Sequence, residues 1–142
     1  MWQVFLECDY MALHASRHYT SYIKEGRQAE KDDNPIKASE WYEMAIKQRP
    51  LEELPYHRLM IIYRKQKKFK EEARVLDKAL NVFKSHYDEK QQKLFGKNKK
   101  IEQTGKALLR SLTPKGSKNN SYYPEPIPKW TRRKENLEKK LK

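Results

Sequence analysis

Residues 37–80 read KASEWYEMAIKQRPLEELPYHRLMIIYRKQKKFKEEARVLDKAL, and this stretch decides the fold. Apolar and small side chains recur in it at intervals of three and four residues, the spacing that places them on one face of an α-helix. Pro50 and Pro55 interrupt the pattern, because proline disfavours helical backbone in the residue before it and suits the first turn of a helix. The stretch therefore predicts amphipathic helices joined by short turns.

Three helices are expected from this pattern and its flanks, at about Pro35 to Gln48, Glu53 to Gln66 and Phe69 to Tyr87. Lys67-Lys68 forms the predicted turn between the last two. The predicted buried faces combine aromatic, aliphatic and small side chains. They are Ala38, Trp41, Tyr42, Ala45 and Ile46 in the first helix, Tyr56, Leu59, Met60, Ile62 and Tyr63 in the second, and Phe69, Ala73, Leu76, Ala79, Leu80 and Phe83 in the third.

A preceding helix is expected from about Asp9 to Lys31, with apolar or small residues at the same spacing. Gly26 lies on this apolar face, where glycine costs about 1 kcal/mol relative to alanine. We interpret Gly26 as a point of close approach by another helix. Residues 1–8 are predicted to be a leader outside the domain, and Met11 is a second candidate start.

The two helix pairs share a layout, with prolines at similar points and a repeat of about 32 to 34 residues. This pattern resembles the tetratricopeptide repeat, with one repeat at about residues 19–50 and another at 53–84. The resemblance implies an all-α, right-handed stack of helical hairpins, an α–α superhelix. It rests on Tyr22, Gly26, Ala29, Ala38, Tyr42, Ala45 and Pro50 in the first repeat and on Tyr56, Leu59, Met60, Tyr63, Phe69, Leu76 and Ala79 in the second.

Four positions depart from the repeat pattern. Glu72 stands where the motif usually has alanine, and Lys67 replaces the usual turn glycine. Pro35 stands where an aromatic residue is common, and no closing proline follows Leu80.

In tetratricopeptide stacks the first helix of each hairpin lines a concave groove that binds peptides. The resemblance implies a cation-rich groove here, which suits an acidic or carboxylate-bearing peptide. It therefore implies a non-catalytic protein–protein interaction module, an adaptor or assembly factor. A basic face that serves only solubility, or that the chain's own tail covers, is the alternative. The lining residues implied are Ile23, Lys24, Arg27, Lys31, Leu54, His57, Arg58, Ile61, Arg64 and Lys65.

Some members of the family clamp a terminal carboxylate with lysine, asparagine and arginine. The asparagines are absent from this chain, and Arg27 and Ile61 stand at comparable places. The clamp is therefore not expected here.

The net charge of +13 is unevenly distributed. Residues 1–83 carry 15 Lys/Arg and 13 Asp/Glu, whereas residues 84–142 carry 17 and 6. This asymmetry favours an acidic partner, and a nucleic-acid-associated role of the C-terminal arm is the second functional hypothesis. The cations that could track phosphates are Lys97, Lys99, Lys100, Lys106 and Arg110, followed by Arg132, Arg133 and Lys134.

A fifth helix is expected from about Asp88 to Leu112, with a narrow apolar stripe formed by Leu94, Ile101 and Leu108. Repeat arrays need a terminal helix to cover the last hairpin, so this helix is predicted to cap the domain, which would span residues 9–112. Stable arrays usually need three or more units. Either the fifth helix and the tail complete the fold, or the protein self-associates.

Residues 113–142 are expected to form a basic tail. Its segment SYYPEPIPKW, residues 121–130, alternates prolines with apolar side chains and should be extended. A short final helix is expected from Trp130-Thr131 to Leu141. Tyr122, Tyr123, Ile127 and Trp130 are candidate docking residues, and two hypotheses stay open. They pack back on the helical stack, along its groove, or they dock onto another protein.

No arrangement of residues indicates catalysis, and neither catalytic residues nor a cofactor is predicted. The 4 glycines are scattered singly, so no glycine-rich phosphate loop occurs. His14 and His18 have the spacing of a helical metal site, but no third ligand is evident. We interpret them as semi-exposed helix-face histidines and predict no metal site.

The cellular setting is inferred from Cys8 and from hydropathy. A single cysteine excludes an intramolecular disulfide and favours a reducing compartment, so a cytoplasmic location is expected. No stretch approaches the roughly 20 apolar residues of a transmembrane helix.

Overall fold

The structure, a computed structural model, describes residues 18–95, 98–112 and 123–141, which are helical apart from short turns. The all-α expectation is confirmed for these residues. The chain divides into two compact units, Met1–Ala79 and Leu80–Lys142. In chain order the helices are α1 (residues 18–31), α2 (Pro35–Gln48), α3 (Glu53–Lys65), α4 (Phe69–Phe95), α5 (Lys99–Ser111) and α6 (Ile127–Leu141).

In the first unit, α1 ends in a turn that also begins α2. The amide of Asn34 donates to the carbonyl of Ala29 at 2.9 Å, and Asp33 adopts a φ of 53°. This is the left-handed residue that closes a Schellman motif. The side chain of Asn34 then accepts a hydrogen bond from the amide of Lys37 at 3.2 Å, and Pro35 occupies the first turn of α2. One residue therefore terminates one helix and caps the next.

The turn from α3 to α4 repeats this geometry. The amide of Lys68 donates to the carbonyl of Tyr63 at 2.9 Å, and the amide of Lys67 donates to the carbonyl of Arg64 at 3.0 Å. Lys67 has a φ of 57°, a conformation that glycine adopts without steric cost. The position therefore has the geometry of the turn glycine that the repeat pattern usually contains.

The core of the first unit is formed by the apolar faces of its helices. Tyr42, Ala45, Tyr56, Leu59 and Met60 are fully buried. All of them belong to the faces predicted from the spacing of apolar residues. Burial of a large apolar side chain contributes about 1.5–3 kcal/mol, so these faces provide the main stabilisation of the unit.

Gly26 is a point of close approach between α1 and α2. A Cβ atom built on Gly26 would lie 2.9 Å from both Cε1 and Cζ of Tyr42. Close packing at this position therefore requires glycine, as the sequence predicted. Nearby, the rings of Tyr22 and Trp41 stack with centroids 5.8 Å apart.

Ion pairs join α2 to α4 within the first unit. Arg74 contacts Glu43 at 2.7 Å and Glu71 at 2.8 Å, and Lys78 lies 4.0 Å from Glu43. The hydrogen bonds that Arg74 donates to these two carboxylates raise its pKa. The contacts are partly exposed, so they contribute little stability individually but hold α2 beside α4.

In the second unit, α4 continues through Tyr87 and Asp88 to Phe95, so the predicted break at this point is wrong. Residues 84–95 contain no proline or glycine, and Gly96 is the first residue that disfavours continuation. The predicted fifth helix therefore contributes its first part to α4, and α5 begins only at Lys99.

The apolar stripe that was predicted to cover the last hairpin lies mostly on α5. The prediction is wrong, because the side chains of this stripe are exposed. Ile101 is 53% exposed and Leu108 is 62% exposed. Leu112, which follows the helix, is 66% exposed. These side chains are not the buried surface that a capping helix provides.

Helix α6 packs against the second half of α4. Trp130 is buried, and its ring meets the ring of Phe83 edge-on at 5.0 Å. Ile127 and Leu137 lie on the same face of α6 and are also buried. Residues 127–130 are helical rather than extended, because the amide of Trp130 donates to the carbonyl of Pro126 at 3.0 Å and starts the first turn.

Candidate partner-binding surface

The candidate groove residues lie on α1 and α3. Lys24, Arg27 and Lys31 on α1 and Lys65 on α3 are exposed. Within the described residues none of the four forms an ion pair. On α1 the three cations follow one another at intervals of three and four residues, so they form one row on its surface. We call these four residues the cation row.

Glu30 connects the candidate groove to the core. Its carboxylate on α1 accepts hydrogen bonds from the hydroxyl of Tyr42 at 2.7 Å and from Nε of Arg58 at 2.9 Å. A second nitrogen of Arg58 contacts the other carboxylate oxygen, so the contact between α1 and α3 is bidentate. Arg58 is therefore already occupied by a carboxylate of its own chain.

The electrostatics of this bridge are reflected in two pKa values. Burial acts to raise the pKa of Glu30, but hydrogen bonds from Arg58 and Tyr42 outweigh it, so the pKa lies below its ordinary value. Lys65 adds to this lowering, which places its charge near the carboxylate. Burial, followed by the bond to Glu30, raises the pKa of Tyr42 to about 12.

Arg64 is engaged in the same manner. Its Nη2 lies 2.8 Å from Oε1 of Glu72, and its Nε donates to Oε2 at 3.2 Å. Glu72 on α4 is fully buried, whereas Arg64 reaches it from the surface. A buried carboxylate needs such a partner. Arg64 is therefore a structural residue, although its position in the sequence resembled a groove position.

The remaining groove candidates are less accessible than the cation row. Ile23 is buried in the core. Leu54, His57 and Ile61 on α3 are half-buried. The accessible part of the candidate groove is therefore mainly cationic.

The candidate docking residues of the tail have separate positions. Tyr122 lies outside the described residues. The hydroxyl of Tyr123 donates to Oδ1 of Asp88 at 3.1 Å. The ammonium of Lys84 lies 5.8 Å from the centroid of the Tyr123 ring. Ile127 and Trp130 are buried. The contacts found for this segment are thus with the second half of α4.

Sequence reasoning missed the two structural carboxylates, although both had a signal. Glu30 follows Ile23 and Gly26 on the apolar face of α1, where an acidic side chain needs a partner. Glu72 replaces the alanine of the repeat motif. The identity of each partner depended on helix packing.

Among the described residues, no cluster of three or more His, Cys, Asp or Glu side chains could hold a metal ion. No helix in these ranges is long and apolar enough to cross a membrane. His18 is exposed and stacks on Tyr22 with ring centroids 6.3 Å apart, and its predicted neighbour His14 lies outside the described residues.

Comparisons of the chain with protein families, with curated proteins and with solved structures find no match.

Proposed function

We propose that this protein is a non-catalytic interaction module, an adaptor or assembly factor, whose tetratricopeptide-like helices bind an acidic peptide. The proposal adopts the hairpin stack implied by the sequence resemblance. It is supported by the contacts of α2 with α1, α3 and α4, which are those expected of successive hairpins.

The cation row carries the proposal. Arg58 and Arg64 have carboxylate partners in their own chain, whereas Lys24, Arg27, Lys31 and Lys65 have none among the described residues. Glu30 lies beside Lys31 in the sequence and near Lys65 in space. The cation row therefore lies on both helices beside the contact between α1 and α3. A peptide that crosses the two helices would meet the cations of α1 and Lys65 of α3.

The ion pair of Arg64 with buried Glu72 makes Arg64 unsuitable as a test residue. Arg64→Glu would place a second carboxylate beside buried Glu72 and destabilise the fold, so a loss of binding would be uninformative. Arg27 and Lys65 are better targets, because they are exposed and belong to different helices. The double variant Arg27→Gln/Lys65→Gln removes two charges and leaves the bridges of Arg58 and Arg64 intact.

The test measures binding of a short fluorescein-labelled peptide of alternating Glu and Leu by fluorescence anisotropy. The wild-type chain is expected to bind it, and the double variant is expected to bind about tenfold more weakly, because two exposed ion pairs contribute about 0.5–1 kcal/mol each. A matched peptide with Lys in place of Glu should not bind.

The control variant is Lys37→Gln/Lys47→Gln. It makes the same charge change at exposed positions on α2. Retained affinity in this control, together with the loss in Arg27→Gln/Lys65→Gln, supports the proposal. Equal losses in the two variants would mean that net charge alone attracts the peptide, and the proposed groove would be wrong.

A further inference from the structure

Nearly all the net charge of the protein belongs to its second unit. Leu80–Lys142 carries 17 Lys/Arg and 6 Asp/Glu, a net charge of +11, whereas Met1–Ala79 carries 15 and 13, a net charge of +2. The boundary between the compact units is therefore also the boundary between a nearly neutral part and a strongly basic part. A field of one sign over a small body attracts polyanions.

Packing determines which side of α6 is exposed. Because Ile127, Trp130 and Leu137 are buried, the opposite side is presented to solvent. That side carries four exposed cations, one amide and the exposed carboxylate of Glu135, and we call the cations and the amide the cationic face of α6. Its members are Lys129, Arg132, Asn136, Lys139 and Lys140. They follow the helical periodicity and extend along about 16 Å of the helix.

The four cations of this face have no ion pairs with the described residues. Elsewhere in the unit, Lys134 lies 3.8 Å from Glu138 on α6, and Lys106 pairs with Glu102 on α5. The charges of the cationic face are therefore not neutralised by ion pairs among the described residues, as those of Lys134 and Lys106 are.

An anionic membrane is a poor fit to this face. Interfacial helices insert an exposed apolar face into the membrane and carry their cations on the opposite, polar face. The large apolar residues Ile127, Trp130 and Leu137 of α6 are instead buried. The exposed stripe of Ile101 and Leu108 belongs to α5 and is not part of the cationic face of α6.

Single-stranded nucleic acid is also a poor fit, because its binding sites combine cations with exposed aromatic side chains on which bases stack. Phe83 and Trp130 are buried, and Tyr87 and Tyr123 are half-buried. No aromatic side chain that the structure describes in this unit is fully exposed. The described residues offer charges at helical spacing and no fully exposed aromatic side chain, which suits a phosphate backbone whose bases stay paired.

We propose that the cationic face of α6 binds the phosphate backbone of double-stranded nucleic acid without reading its sequence. This function is independent of the peptide groove proposed above, since it uses residues of the other unit. Lys129, Arg132, Lys139 and Lys140 each contact a phosphate, and Asn136 donates a hydrogen bond between them. The sequence predicted an acidic partner, and this proposal specifies it as double-stranded nucleic acid.

The test uses the full chain and a fluorescein-labelled DNA duplex of mixed sequence, two helical turns long, in fluorescence anisotropy titrations. Four phosphate contacts predict a slope of log K against log[salt] of about −3.6, since each contact contributes about −0.9. Affinity should fall about 150-fold between about 50 and 200 mM salt. A duplex of unrelated sequence should bind equally well.

The decisive variant replaces all four cations, Lys129, Arg132, Lys139 and Lys140, with Gln. It is expected to bind the duplex at least tenfold more weakly, with a slope closer to zero by about 3 to 4. The control replaces Lys37, Lys47, Lys68 and Lys70 of the first unit, which are exposed, with Gln. The control should retain the wild-type slope, and circular dichroism should show the same helix content in both variants.

Three competing ligands separate this proposal from its rivals. They are a single strand of the same length, vesicles of phosphatidylcholine with phosphatidylserine, and polyglutamate. Tighter binding of any of them than of the duplex would overturn the proposal, and so would equal losses in the two variants or an unchanged slope in the α6 variant. None of these outcomes bears on peptide binding by the cation row, so this proposal can be refuted without refuting the proposed function.

Discussion

Replacing Gly26 with alanine tests whether tertiary packing overrides helix propensity. Propensity alone predicts that Gly26→Ala stabilises α1 by about 1 kcal/mol, because alanine loses less backbone entropy than glycine on folding. The structure predicts the opposite sign. The added methyl group would lie 2.9 Å from two atoms of the Tyr42 ring and 3.2 Å from a third.

The magnitude depends on whether Tyr42 can move away. Its side chain is fully buried, and its hydroxyl is held by Glu30 at 2.7 Å, so the ring has no free direction in which to shift. Overpacking of this kind costs about 1–3 kcal/mol. After the gain in propensity of about 1 kcal/mol is subtracted, Gly26→Ala should destabilise the first unit by up to about 2 kcal/mol, which corresponds to a fall in Tm of up to roughly 8 °C.

Urea and thermal unfolding followed by far-UV circular dichroism measure this effect. Gly105→Ala on α5 is the matched control, since Gly105 is a half-buried helical glycine of the other unit and should follow propensity. A double-mutant cycle with Tyr42→Leu isolates the contact, because the smaller side chain makes room for the methyl group. Gly26→Ala should cost less in the Tyr42→Leu background.

Two results would refute this reasoning. If Gly26→Ala raised the free energy of unfolding as Gly105→Ala is expected to do, α1 and α2 would not be in close contact at this position. If the effects of Gly26→Ala and Tyr42→Leu were additive, the cost would arise elsewhere than at the ring.

Three further predictions concern charge and turn geometry in the first unit. Arg64→Ala should destabilise the protein by about 2 kcal/mol or more in urea unfolding, because it leaves the buried Glu72 carboxylate without this partner. The double variant Arg64→Leu/Glu72→Ala should recover most of this loss, since it removes the buried charge as well. A double variant as unstable as Arg64→Ala would contradict this account. The pKa of Glu30 is lowered in the folded state, so its contribution is present above the unfolded pKa of 4.5 and is lost as the pH falls through the lower folded value. Unfolding of wild type and Glu30→Gln between neutral and acidic pH should therefore give curves that converge in acid, and a constant difference would exclude a role for this ionisation. Lys67→Gly should raise the free energy of unfolding by about 0.5–1 kcal/mol, since Lys67 adopts a positive φ that glycine tolerates, and unchanged or lower stability would argue against this conformation in solution.

Helix positions were largely predictable in the first unit because local signals and packing agree there. The helix predicted from Pro35 to Gln48 matches α2 at both ends, since Asn34-Pro35 starts it and Arg49-Pro50 ends it. The boundary at Tyr87-Asp88 failed because no helix breaker occurs there. Without a local stop signal the helix continues to Phe95.

The candidate site was only partly predictable. Helical spacing placed Lys24, Arg27 and Lys31 together on one side of α1, and the structure leaves them exposed. Spacing could not separate them from Arg58 and Arg64, whose partners Glu30 and Glu72 come from other helices. Whether a cation can bind a partner depends on whether a carboxylate of its own chain already neutralises it. Here those carboxylates are distant in the sequence.

The sequence by itself determined the helical class, the helix ends marked by proline and asparagine, and the separation of charge between the two parts of the chain. These properties are local or compositional, so they need no knowledge of packing. Only the tertiary structure decided that α6 rather than α5 buries its apolar residues, and that Gly26 receives the ring of Tyr42. Both α5 and α6 are amphipathic, and an amphipathic pattern indicates only that a helix has one face that can be buried. Whether it does so depends on the surface that the rest of the chain presents to it.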